Sequence, residues 1–169
     1  MRYYLVGFMG SGKSHWANVW AANNGLNFID LDKCIEEKEN LSVLDIFDLK
    51  GEAYFRVVEA EALRETTKYE NCVISCGGGT PCFSENMKWM NKNGFTIYLS
   101  ANPPLLLSYI MNDTAKRPLV KNVNENELLY FVQQTLSARV NYYEEAKMTL
   151  DVPGLTEQSF GIVLKSAHV

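Results

Sequence analysis

The sequence predicts an α/β fold: a central parallel sheet with helices packed against both faces. Apolar strand-like runs alternate with helical patterns from one end of the chain to the other, the arrangement that produces parallel sheets covered on both sides. A glycine-rich segment stands between the first apolar run and the first helical pattern. The chain has 169 residues, 47% apolar and 21% charged, which suits one compact domain rather than a disordered chain. At this length about two thirds of the unfolded surface can be buried, so neither a disulfide nor a metal staple is required. One domain is expected over residues 1–169, with no repeat, low-complexity tract or linker.

The elements follow in order. Tyr3 to Val6 reads as a first strand, and Trp16 and Trp20, four residues apart, share one face of the helix after it. Gly25, following Asn23 and Asn24, suits the left-handed position that closes a helix. Asn27 to Ile29 reads as a second strand, Val73 to Ser75 as a third, Phe95 to Leu99 as a fourth and Met148 to Leu150 as a fifth. Leu128, Val132 and Leu136 mark one face of a late helix. Asn112 to Asn126 differs: it is polar, contains Arg117, Pro118 and neighbouring lysines, and separates two helical segments. A segment of this length between elements suggests a functional lid.

The formal charge of −4 supplies no basic field, so nucleic acid is not expected as a partner. No apolar run approaches the roughly 18 residues of a membrane span. The start, Met1 to Val6, resembles a strand rather than a signal peptide. A cytoplasmic monomer is the expectation. Cys34, Cys72, Cys76 and Cys82 contain no C-x-x-C pair, and reduced cysteines acting as small apolar residues account for them. His15 and His168 form no zinc-like spacing.

Gly7-Phe8-Met9-Gly10-Ser11-Gly12-Lys13-Ser14 fits G-x-x-x-x-G-K-[ST] in full, directly after a strand and directly before a helix. Glycines let successive backbone N–H groups point at phosphate oxygens, and the helix adds its positive N-terminal end. Lys13 can span the β- and γ-phosphates of ATP, and the Ser14 hydroxyl can ligate Mg²⁺. The motif predicts a P-loop NTPase without revealing the phosphoryl acceptor. No N-K-x-D base-reading tetrapeptide of a GTPase occurs, and the small size leaves little room for a mechanochemical ATPase.

Asp30-Leu31-Asp32 follows the second strand, at the end where parallel sheets bind ligands. One carboxylate can help to hold hydrated Mg²⁺, and the other can bind an acceptor hydroxyl and take its proton. Asp32 equally suits the N-cap of the next helix. Further blocks are Asp45-Ile46-Phe47, Gly51-Glu52, Phe55-Arg56-Val57-Val58-Glu59, Gly77-Gly78-Gly79, Arg117-Pro118-Leu119, and Arg139 before Tyr142-Tyr143-Glu144-Glu145-Ala146. Arg56 is flanked by Glu52 and Glu59 at helical spacing, so it can form a solvated ion pair or be oriented by Glu59 toward a ligand. The triple glycine admits either close backbone approach to a ligand or a simple turn.

Together with the phosphate loop and the paired aspartates, the order and spacing of these blocks resemble shikimate kinase over nearly the whole chain. The resemblance implies a three-layer P-loop fold with a five-stranded parallel sheet in the order 2-3-1-4-5. It implies transfer of the ATP γ-phosphoryl group to the 3-hydroxyl of shikimate, a step toward chorismate and the aromatic amino acids. Asp32, Arg56, Gly78 and Arg139 fall on substrate-binding positions, Asp32 being also the expected base. Phe47 and Phe55 fall on apolar walls of the same pocket. Gly10, Ser11, Gly12, Lys13, Ser14, His15 and Arg117 fall on ATP-binding positions, with Ser14 and Asp30 the expected Mg²⁺ ligands. Guanidinium groups suit the carboxylate of such a substrate. The chain departs from that pattern at His15 and Trp16, and it lacks arginines near Ile110 and Leu155; Ile110, Pro153 and Leu155 are the residues expected to enclose adenine instead. Gluconate kinase, similar in its loop, acidic pair and lid, is the nearest competing resemblance. A nucleotide-sensing module without turnover is the reading from a different class.

Overall fold

The computed structural model describes residues 1–112 and 124–167. Five strands, β1 (Arg2–Val6), β2 (Asn27–Asp30), β3 (Cys72–Ser75), β4 (Phe95–Ser100) and β5 (Met148–Asp151), form one sheet in the order β2-β3-β1-β4-β5. Every neighbouring pair is parallel. Each strand lies within one residue of its expected bounds at either end.

Alternation along the strands divides the core into two layers. Tyr3 and Leu5 of β1, Val73 of β3, and Phe95, Ile97 and Leu99 of β4 face one cluster. Tyr4 and Val6, Cys72 and Ile74, and Tyr98 face the other. The first layer is closed by α1 (Lys13–Asn23) and α7 (Phe160–Ala167). There Trp16 stacks on Trp20 at 5.5 Å and Trp20 on Phe160 at 5.4 Å. The buried indole N–H of Trp20 donates to the Thr156 carbonyl at 3.1 Å, which spares it an unpaired donor. The second layer is closed by α2 (Leu31–Glu39), α3 (Val43–Glu65), α4 (Asn86–Asn93), α5 (Pro103–Asn112) and α6 (Glu125–Tyr143).

Gly25 has φ 64, and the Leu26 N–H reaches back to the Ala21 carbonyl at 2.9 Å. This is the left-handed closure expected at the end of α1. The long helix α3 is kinked at Gly51 (φ 83, ψ 164), so Glu52, Arg56 and Glu59 share its second segment. All four cysteines are free, with Cys72 and Cys76 buried. No described helix is long and apolar enough to cross a membrane. Of the expected lid, Asn112 ends α5, while Asn124 caps α6 through its side chain and Glu125 and Asn126 belong to that helix. Arg117, the rest of that segment, and His168 lie outside the described residues.

Candidate active site

A cleft of about 800 Å³ opens at the carboxyl ends of β1 and β3, adjacent strands whose following helices, α1 and α4, pack on opposite faces of the sheet, the crevice expected of open α/β sheets. Its floor is the segment from Met9 to Trp16. Gly12 caps α1 in the left-handed region (φ 82) and Gly10 shares that conformation (φ 84). A side chain at either position would strain the loop. Lys13 is the first residue of α1 and is buried, its Nζ donating to the Phe8 carbonyl at 2.8 Å. The ammonium is thereby folded back over its own loop, on the side where the helix N-terminus favours anions. Ser11 is fully buried.

The register of the sheet brings the Mg²⁺ candidates together. Asp30, the last residue of β2, pairs with Ser75, the last of β3. The Ser14 hydroxyl donates to Asp30 Oδ2 at 2.8 Å and lies 3.0 Å from the Ser75 hydroxyl. Hard oxygen donors with one carboxylate suit Mg²⁺, which keeps several waters and takes phosphate oxygens for the remainder of its shell. A serine closing an otherwise apolar strand is the one local mark of Ser75; its place beside Asp30 is set by the register of β2 and β3.

Asp30 also caps α2, its Oδ1 accepting the Lys33 N–H at 3.3 Å. The capping role considered for Asp32 therefore belongs to Asp30, because β2 runs one residue further than its apolar pattern. Asp32 sits in the first turn of α2 and lines the cleft. Burial, then the neighbouring Asp30 and Glu59 carboxylates, push its carboxyl up to about 6, while Lys13 pulls it the other way. A carboxylate poised near neutrality suits a proton acceptor.

Gly77 and Gly78 form the next part of the wall. None of the three glycines has a positive φ; a side chain at Gly77 or Gly79 would instead press on neighbouring side chains. A Cβ on Gly77 would lie 3.0 Å from Asp32 Oδ1 and 3.2 Å from Glu59 Oε1. One on Gly79 would lie 2.6 Å from Arg56 Nη2. Arg139 of α6 reaches the same wall, its Nη1 3.7 Å from where Gly78 would carry a Cβ, and the Tyr143 hydroxyl pins the Gly78 carbonyl at 2.6 Å. Nothing local in the sequence marks the Tyr143 contact, which spans 65 residues.

Arg56 is held on two sides. Its Nη1 donates to the buried Glu59 at 2.8 Å, and Nε and Nη2 donate to the exposed Glu52 at 3.2 and 3.0 Å. The ion-pair and the oriented-arginine readings are thus both realised, with Glu59 as the fixed partner. Phe47 and Phe55, with ring centroids 4.6 Å apart, lie beside the guanidinium.

At the opposite end Pro153 and Leu155 line the cleft as expected. Ile110 does not: it is fully buried, and its side chain packs under Gly10. Tyr109, one residue earlier on α5, and Trp16 of α1 face the cleft instead. His15 is exposed on the rim, edge-on to Trp16 at 5.1 Å.

A parallel sheet in this order, a phosphate loop after β1, and a cleft lined by a poised aspartate, with two arginines against the adjoining glycine run, define a P-loop kinase acting on a small molecule. The family model for shikimate kinase matches residues 9–166, and the chain belongs to the shikimate kinase family. It is 40% identical over 156 residues to the shikimate kinase of Azobacteroides pseudotrichonymphae, with 92% of each chain covered. To that of Phocaeicola vulgatus it is 40% identical over 146 residues, 86% of this chain and 83% of the relative. The crystal structure of shikimate kinase from Bacteroides thetaiotaomicron superposes with a TM-score of 0.93 at 34% identity, over 100% of this chain and 99% of that one. The Acinetobacter baumannii shikimate kinase in complex with shikimate gives 0.83 at 29% identity, over 98% and 93%.

Proposed function

We propose that this chain transfers the γ-phosphoryl group of ATP to the 3-hydroxyl of shikimate, giving shikimate 3-phosphate and ADP. The observation that carries this is the convergence of Lys13, Ser14 and Asp32 on one cleft, with Arg56 and Arg139 packed against the glycine wall at its end. ATP lies with its phosphates on Gly10 to Ser14, its base toward Trp16, Tyr109, Pro153 and Leu155, and His15 at the rim. Ser14 and Asp30 would hold Mg²⁺, which neutralises charge on the β- and γ-phosphates. Arg56 and Arg139 bind the substrate carboxylate, the Gly78 backbone closes on the ring, and Asp32 accepts the hydroxyl proton. The hydroxyl oxygen bonds to the γ-phosphorus as the bond to the bridging oxygen breaks, and that electron pair leaves with ADP. Lys13 follows the charge that builds on the transferred group.

A coupled assay of ADP release with shikimate, with gluconate and with no acceptor tests the assignment. Release is expected with shikimate; turnover with gluconate alone would transfer the assignment to a sugar-acid kinase, and ADP release in none of the three would leave a nucleotide-sensing module. Arg56→Ala and Arg139→Ala should each raise the shikimate KM, since losing a charge-assisted pair costs about 1.5–3 kcal/mol, tens of fold to over a hundred. An effect at Arg139 alone would make Arg56 a structural ion pair.

Arg117 is assigned to the phosphates on its sequence position. Arg117→Ala should depress kcat strongly and leave shikimate binding without nucleotide almost unchanged; weakened shikimate binding would place it on the acceptor instead. The charge of −4 weighs against nucleic acid as a partner, so both small anionic substrates are drawn in by local positive charge, and a cytoplasmic monomer completes the proposal.

A further inference from the structure

Glu59 is almost fully buried (1% exposed) and gives each carboxylate oxygen a separate partner. Oε2 accepts from Arg56, and Oε1 accepts from the Thr80 hydroxyl at 2.6 Å. Thr80 is itself fully buried, in the short 3₁₀ turn Thr80–Cys82 that follows the glycine run. Its carbonyl accepts from Asn86 Nδ2 at 2.9 Å, and Asn86 in turn accepts from Arg64 of α3, whose Nη2 also donates to the Ser84 carbonyl at 3.0 Å. The turn is therefore tied to α3 at both ends of this chain of bonds. Phe83, immediately after the turn, lies over Arg56 with 4.1 Å from the guanidinium carbon to the ring centroid. That is closer than the 5.3 Å to Phe55 or the 5.8 Å to Phe47.

A guanidinium that must meet a carboxylate with two parallel bonds has to be held in plane and in direction. Glu52 cannot do this, because its side chain is 57% exposed and exposed pairs constrain little. Glu59 can, provided that its own second oxygen is anchored. Without a donor, that oxygen is a buried, unsatisfied acceptor, and the carboxylate turns to find another partner. The planar face of the guanidinium is covered by a ring that fixes its tilt.

We propose that Thr80 and Phe83 are positioning residues for Arg56, Thr80 by locking Glu59 and Phe83 by covering the guanidinium face, so that this turn sets the affinity for the acceptor's carboxylate. Thr80 is fully buried behind Glu59 and Phe83 covers the guanidinium, so both act through Arg56. The proposal rests on the kinase assignment above, and Arg56→Ala is the control that separates the two.

The test is steady-state kinetics on Thr80→Val, Thr80→Ser, Phe83→Leu and Phe83→Tyr alongside the parent and Arg56→Ala. Thr80→Val should raise the shikimate KM about 5- to 10-fold, as expected when a bond to a charged group is lost one step from the ligand, with kcat and the ATP KM nearly unchanged. Thr80→Ser, which keeps the hydroxyl, should stay close to the parent. Phe83→Leu should raise the shikimate KM about 3-fold, in keeping with a partly exposed cation–π contact, and Phe83→Tyr should not. If Thr80→Val is too unstable to assay, Phe83→Leu decides, because that side chain is on the surface. An unchanged shikimate KM in the assayable variants, or kcat and both KM values deteriorating together, overturns the positioning role while Arg56→Ala still reports on the site. Failure of the parent to use shikimate overturns the kinase assignment instead.

Discussion

Lys13→Ala is expected to lower kcat by at least about 10²–10³-fold, the scale of losing a preorganised charge at the reacting centre. The geometry explains why the loss should fall on kcat. Lys13 is the first residue of α1, and its Nζ is tethered to the Phe8 carbonyl, so the ammonium is positioned before any nucleotide arrives. The backbone of Gly10 to Ser14 and the helix N-terminus stay in place, so much of the ground-state attraction for phosphate survives the substitution. The charge that builds during transfer has no replacement. Lys13 also lowers the proton affinity of Asp32; the residual activity should therefore need a higher pH than the parent's. Retention of most activity in this variant would remove the P-loop assignment.

Asp32→Asn is expected to reduce kcat by about 10²–10⁴-fold, the range for a positioned proton acceptor, with ATP affinity little altered. The structure makes this experiment cleaner than the sequence could promise. Asp30, not Asp32, caps α2, so the substitution removes no cap and a fall in activity cannot be assigned to fraying of the helix. The parent's kcat/KM should rise with pH through about 6, as the raised carboxyl of Asp32 ionises. That acid limb should vanish in the variant. Stability runs the other way. A carboxyl whose folded value lies above its ordinary 3.8 favours folding fully below 3.8, and that contribution is lost as pH rises through about 6. The neutral amide has no such penalty, so Asp32→Asn should melt at a higher temperature than the parent above pH 6, as is usual when a strained functional charge is removed. A near-normal kcat would mean that another group accepts the proton.

Much of this was legible in the sequence for local reasons. The phosphate loop is one contiguous stretch whose neighbours in space are its neighbours in the chain, so Gly10 to Ser14 could be assigned directly. The strands announced themselves by apolar runs, and each was placed to within a residue at either end. That single residue mattered at β2, where it decided whether Asp30 or Asp32 caps the helix. Helix phase mattered in the same way on α5: Ile110 has the right composition for an adenine wall, yet it points under Gly10 while Tyr109 turns to the cleft.

What the sequence by itself determined is the phosphate chemistry, the alternating α/β layering, and the inventory of charged groups from which the proposed acceptor site is built. The tertiary structure decided which of those groups act together. Asp30 meets Ser14 and Ser75 because β2 and β3 pair at that register. Gly77 and Gly79 lie against the Asp32, Glu59 and Arg56 side chains, a closeness that their own conformations do not reveal. Thr80 reaches Glu59 across 21 residues, and Tyr143 reaches Gly78 across 65. Contacts of that kind leave no periodic trace, because strand register and helix packing set them; local patterns specify only which way each element faces.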